Sequence, residues 1–140
     1  VGQFGDFDEL REALNGALRE HGAMLIELPH SDSTEHSRTA NLLGADVYVG
    51  FESSPERESR ISYYAVPSFE SAGGRSLAQL MERHLRDVVP RISVEGMRLP
   101  ILRETKMPAV LVTLGPVEMM LSKSARIAEA IFLALSAWAP

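Results

Sequence analysis

Cysteine is absent from the 140 residues, which excludes disulfide staples and thiolate metal sites and leaves cytoplasm and cell envelope equally compatible. No apolar run approaches the roughly 20 residues needed to span a bilayer, and the first residues lack the charged and apolar regions of a secretory signal. The chain as given is expected to be soluble, with no transmembrane segment. A basic excess is missing too: 14 Lys and Arg face 19 Asp and Glu, for a formal net charge of -5. No positive field gathers nucleic acid or anionic lipid, so neither is an expected partner. Internal repeats and low-complexity stretches are lacking, and Gly73-Gly74 has no Lys-Ser/Thr to make a phosphate loop. What is present is 45% hydrophobic residues, enough for one compact domain spanning 1–140.

Hydrophobic periodicity divides the chain into alternating helices and strands. Asp6 with Glu9 reads as a capping box for a helix over Asp8 to His21, stopped by Gly22. Ala23 to Leu28 is a short apolar run closed by Pro29, as in a strand buried on both faces. Ser33 caps a helix through Leu43 that ends at Gly44, and Val47 to Phe51 is another buried strand. Ser53 to Arg60 reads as a polar loop, Ile61 to Val66 as a strand and Ser68 to Gly74 as a second loop. Leu77, Leu80, Met81, Leu85 and Val88 form one helical stripe ending before Pro90. Arg91 to Gly96 looks irregular, Leu99 to Leu102 reads as a short edge strand, and Ala109 to Leu114 as a strong buried strand. Ile127, Ile131, Leu135 and Trp138 mark a closing helix. Val1-Gly2-Gln3-Phe4-Gly5 fits neither a targeting segment nor a strand, an abrupt start expected of a trimmed or processed parent.

Strands separated by helices predict a three-layer αβα sandwich with a mainly parallel sheet, because parallel crossovers need connections of that length. Ligands in such sheets bind beyond the carboxyl ends of the strands, here Leu28, Phe51 and Leu114.

Two strings carry a resemblance. Arg38-Thr39-Ala40-Asn41-Leu42-Leu43-Gly44-Ala45-Asp46 is similar to the A-N-x-x-x-A-D segment of the zinc-dependent N-acetylmuramoyl-L-alanine amidases, the Amidase_3 peptidoglycan hydrolases of bacteria. Leu102-Arg103-Glu104-Thr105-Lys106-Met107-Pro108-Ala109-Val110-Leu111-Val112 resembles that family's L-R-x-T-x-M-P-A-V-L-V-E. The resemblance implies an amidase-like fold and a zinc held by two histidines and a glutamate, with a second glutamate as base for the metal-bound water. Set against that pattern, this sequence is degenerate. The strand and glycine-rich turn bearing the first histidine are expected to be absent, the ligand glutamate falls near Gln3, Glu52 stands where the second histidine belongs, and Thr113 replaces the base. A threonine hydroxyl cannot accept a proton from zinc-bound water near neutral pH.

The resemblance therefore implies a pseudo-amidase domain, similar in kind to actinobacterial CwlM-type proteins, that binds peptidoglycan, its precursors or a cell-wall synthesis protein, in the bacterial cytoplasm or envelope. No cofactor is expected. The candidate cleft comprises Glu52, Thr113, Arg103 and Glu118, with the cluster Arg103, Glu104 and Lys106 available to a peptide carboxylate or phosphate. Each has a plainer reading: Glu52 as a solvated strand-end carboxylate, Thr113 as a β-branched strand residue, Arg103 as part of an exposed charge cluster. The enzymatic alternative is an amidase with a rearranged zinc site built from Glu52, Glu118 and a histidine of the His30 to His36 segment.

Overall fold

The computed structural model describes residues 2–4, 12–13, 15–16, 33–54, 58–116 and 122–138. Its elements are β1 (Gly2–Phe4), α1 (Ser33–Leu43), β2 (Tyr48–Ser53), β3 (Ser59–Val66), β4 (Phe69–Glu70), α2 (Ala72–Leu85), β5 (Ile92–Met97), α3 (Pro100–Glu104), β6 (Ala109–Leu114) and α4 (Ser124–Trp138). Glu12, Ala13, Asn15 and Gly16 are helical, in keeping with the first expected helix. The strand expected at Ala23 to Leu28 lies outside the described residues.

The sheet is mixed, with three parallel and two antiparallel pairings among the described residues. β1 pairs with β2 and β2 with β6 in parallel, whereas β3 runs antiparallel to β6; β5 joins β3 in parallel, and two-residue β4 folds back on the end of β3. The cause lies in connection length. Only five residues separate the end of β2 at Ser53 from the start of β3 at Ser59, too few for a crossover that would bring the chain back in the same direction. β6 then inserts between them.

Helices cover both faces, as expected of a three-layer sandwich. On one face Val49, Phe51, Ile61, Val110, Val112 and Leu114 pack against α2 and α4 through Leu77, Met81, Ile127 and Ile131. On the other, Tyr48, Ala109 and Leu111 meet Ala40 of α1 and Ile101 and Leu102 of α3. All six residues of β6 are buried, the mark of a central strand.

The local rules hold at α1. Gly44 adopts φ +63°, the amide of Ala45 reaches the carbonyl of Ala40 and that of Gly44 the carbonyl of Asn41, which is the paired arrangement a left-handed glycine makes possible at a helix end.

Four sequence expectations are corrected. Gly2–Phe4 forms a strand although it has no strand pattern, because hydrogen bonding to Gly50, Phe51 and Glu52 supplies what propensity does not; an opening strand is thus present. Ser68 to Gly74 is not all loop: Phe69 and Glu70 pair with Val66 and Ala65, and α2 starts at Ala72 with Ser71 Oγ accepting from the Gly74 amide at 3.0 Å. A Cβ on Gly74 would stand 3.2 Å from the Ala109 carbonyl oxygen, so the paired glycines let this first turn lie close to β6. Arg91 to Gly96 is largely β5, held by β3 despite its weak alternation. Leu99 to Leu102 is no strand but the start of α3, with Pro100 in its first turn, a position proline favours.

Candidate functional site

The parallel pairing of β2 with β6 sets Glu52 beside Thr113, and the antiparallel pairing of β3 with β6 sets Thr113 beside Arg60. Directly opposed residues on neighbouring strands share a face, so these three side chains form one lateral row across the sheet. The row lies on the face covered by α1 and α3, at the carboxyl ends of β2 and β6, where open α/β sheets place their ligand sites.

Within the row, Thr113 Oγ1 donates to Glu52 Oε1 at 2.7 Å. Arg60 Nη2 stands 4.0 Å from the same oxygen, and Arg60 Nε is buried without a hydrogen-bond partner. Thr113 is 3% exposed, while the Glu52 and Arg60 side chains are 33% and 38% exposed. At that exposure the ion pair adds little stability. Its consequence is chemical: the Glu52 carboxylate already has a hydroxyl donor and a cation for company. Just beyond, Ser59 Oγ accepts from the Gly115 amide at 3.1 Å and the Ser54 amide reaches the Leu114 carbonyl at 2.9 Å, fixing the strand ends on either side.

A zinc ion does not fit this donor set. Glu52 is its single anionic oxygen ligand, Thr113 offers a neutral hydroxyl, and Arg60 brings a positive charge to the same carboxylate. The Arg60 guanidinium would repel a dication placed on Glu52, an effect that the partial exposure of both side chains moderates. Among the described residues no cluster of three or more His, Asp or Glu side chains is placed to hold a metal.

The other candidate residues are dispersed. Gln3 lies on β1 opposite Phe51, one residue off the row, and Glu118 and His30 fall outside the described residues. His36 is fully buried, and its Nδ1 lies 2.8 Å from the Tyr48 hydroxyl at the opposite end of β2 from Glu52. Burial pushes the Tyr48 phenol well above its usual value near 10. Arg103 belongs to α3, before β6 begins, and lines a separate cavity with Lys106, Tyr64 and Ala109.

Sequence reasoning missed Arg60, which sits at a loop-to-strand junction; only the non-local register of β3 against β6 reveals its neighbours. It also missed the work of Asn41. The Asn41 side chain donates to the Glu104 carbonyl at 2.7 Å and accepts from the Lys106 amide at 2.8 Å. Ser37 Oγ adds a longer bond to Glu104 Oε2 at 3.4 Å, and Thr105 Oγ1 caps the carbonyls of Ile101 and Leu102. The two strings that carry the family resemblance are thus clasped together around α1 and α3.

No protein-family model matches the sequence, and no characterised protein does so either. Solved structures do match. The CwlD amidase from Clostridioides difficile, solved in complex with the GerS lipoprotein, superposes with a TM-score of 0.78 at 13% identity over 95% of this chain and 84% of that one. The catalytic domain of the amidase CwlV from Bacillus (Paenibacillus) polymyxa var. colistinus gives 0.75 at 18% identity over 94% and 82%. The amidase AmiC2 of Nostoc punctiforme gives 0.74 at 18% over 93% and 80%. The chain has the α/β fold of the Amidase_3 N-acetylmuramoyl-L-alanine amidases, at identities that establish the fold alone.

Proposed function

We propose that this chain is a non-catalytic, amidase-like domain of bacterial peptidoglycan metabolism, of the degenerate CwlM kind, that acts by binding or regulation rather than hydrolysis. The observation that carries the reading is the Glu52–Thr113–Arg60 row. In the amidase pattern this end of the sheet polarises a carbonyl and activates water through a metal and a base; here the corresponding positions hold a carboxylate engaged by a hydroxyl, and a guanidinium stands alongside. Loss of a general base alone costs about 10²–10⁴ in rate, and loss of the metal removes both nucleophile activation and carbonyl polarisation.

The row retains binding chemistry. The unpartnered Arg60 Nε is a donor for an anionic or carbonyl oxygen of a peptidoglycan stem peptide, a precursor or a protein partner. Among the described residues no helix is long and apolar enough to cross a membrane.

The test is digestion of purified muropeptide with added zinc, followed by chromatography for free stem peptide, beside a co-sedimentation assay with peptidoglycan. No peptide release above buffer is expected. Zinc-dependent release that scales with protein concentration would overturn the reading.

A further inference from the structure

A second feature of the same sheet face has no part in the strand-end row. Along β6 the residues facing α1 and α3 are Ala109, Leu111 and Thr113, and along β3 they are Tyr64, Ser62 and Arg60. Thr113 and Arg60 belong to the row; Ala109 and Tyr64, about 13 Å away along the strands, floor a cavity of about 480 Å³. Leu102, Met107 and Pro108 form its apolar wall and Phe69 its rim. Phe69 is 60% exposed, with its ring tilted against Tyr64 at a centroid distance of 6.1 Å.

The charge of this cavity is opposite to that of the chain. Arg103 and Lys106 line it and no acidic residue does, in a protein whose formal net charge is -5. Of the acids adjoining the lining residues, Glu70 pairs with Arg75 at 2.8 Å, and Glu104 accepts from Arg103 itself at 3.4 Å while its other oxygen faces Ser37, which leaves Lys106 and the remaining guanidinium donors for a ligand. The segment that carries Arg103 and Lys106 is anchored, because Asn41 bonds the Lys106 amide and the Glu104 carbonyl and Thr105 closes the end of α3.

We infer that this cavity is a binding site for a small amphiphilic anion: a carboxylate or phosphate held by Arg103 and Lys106, attached to an apolar or aromatic group lying against Tyr64, Phe69 and Met107. Planar guanidinium and flexible ammonium together suit an oxyanion, and the exposed aromatic rim covers the attached group. The site is independent of the reading of the strand-end row, since it shares no residue with it.

The test is a titration of the full chain with N-acetyl-L-phenylalanine, its C-terminal amide, and phenyl phosphate, followed by the NMR methyl signals of Met107, Leu102 and Ala109. Saturable shifts are expected with the acid or with phenyl phosphate, and the tighter of the two identifies the source of the anion. The neutral amide is expected to leave the signals in place. Joint substitution Arg103→Gln and Lys106→Gln, both at exposed side chains, is expected to weaken binding roughly tenfold or more while leaving the spectrum of the free protein otherwise unchanged. Absence of saturable shifts with both anions, equal binding of acid and amide, or unaltered affinity in the double variant would each overturn the inference.

Discussion

Thr113 carries a hydroxyl, a group that does not act as a base near neutral pH, and its bond to Glu52 spends that hydroxyl within the protein. At the same scale, Asn41 serves the scaffold. Its amide answers one backbone donor and one backbone acceptor that no helix or strand ladder satisfies. Asn41→Ala is therefore expected to lower unfolding free energy by about 1–3 kcal/mol in urea titration, whereas Arg38→Ala, which removes an exposed pair with Glu35, should stay within about 0.5 kcal/mol. Tyr48 gives a pH signature. Its folded-state value is raised by burial, so the folded state holds the proton more tightly than the unfolded chain; the corresponding stability is complete below about pH 10 and is lost as pH rises beyond it. Denaturant midpoints between pH 9 and 11 should fall more steeply for the wild type than for Tyr48→Phe, and parallel curves would refute the assignment.

Among the elements, legibility followed burial and length. α1, β2, β6, α2 and α4 carry periodic apolar stripes or continuous apolar runs bounded by Gly44, Pro90 or a serine cap, and each was readable from the sequence. β1, β4 and β5 were not, because their existence depends on partners distant in the chain. α3 misled because a five-residue helix has too few apolar positions to tell its period from that of a strand. The same non-locality hid Arg60, whereas Glu52 and Thr113 were found through the resemblance and proved to be adjacent. β5 yields a test in which packing and propensity disagree. A Cβ on Gly96 would come 2.6 Å from the Ala65 Cβ, so Gly96→Val should destabilise by about 1–3 kcal/mol despite the strand preference of valine. Ser93→Val, at an exposed position of the same strand, should change thermal stability little; a stabilising Gly96→Val would show that β5 does not approach β3 as described.

At the scale of the molecule, one sheet face presents two chemically distinct ends: a half-buried carboxylate, hydroxyl and guanidinium at the carboxyl ends of β2 and β6, and a basic, aromatic-rimmed cavity where β6 begins. The scaffold between them is that of an amidase at 13% to 18% identity in the structures compared. In this chain the contacts of Asn41 with Glu104 and Lys106 join α1 to the segment between α3 and β6 and so serve the scaffold. The central claim, that the strand ends do not assemble a zinc centre, is tested most directly by elemental analysis of protein equilibrated with excess zinc and then desalted. The account predicts far less than one zinc per chain, unchanged by Glu52→Gln; one tightly held zinc per chain, released by that substitution, would contradict it.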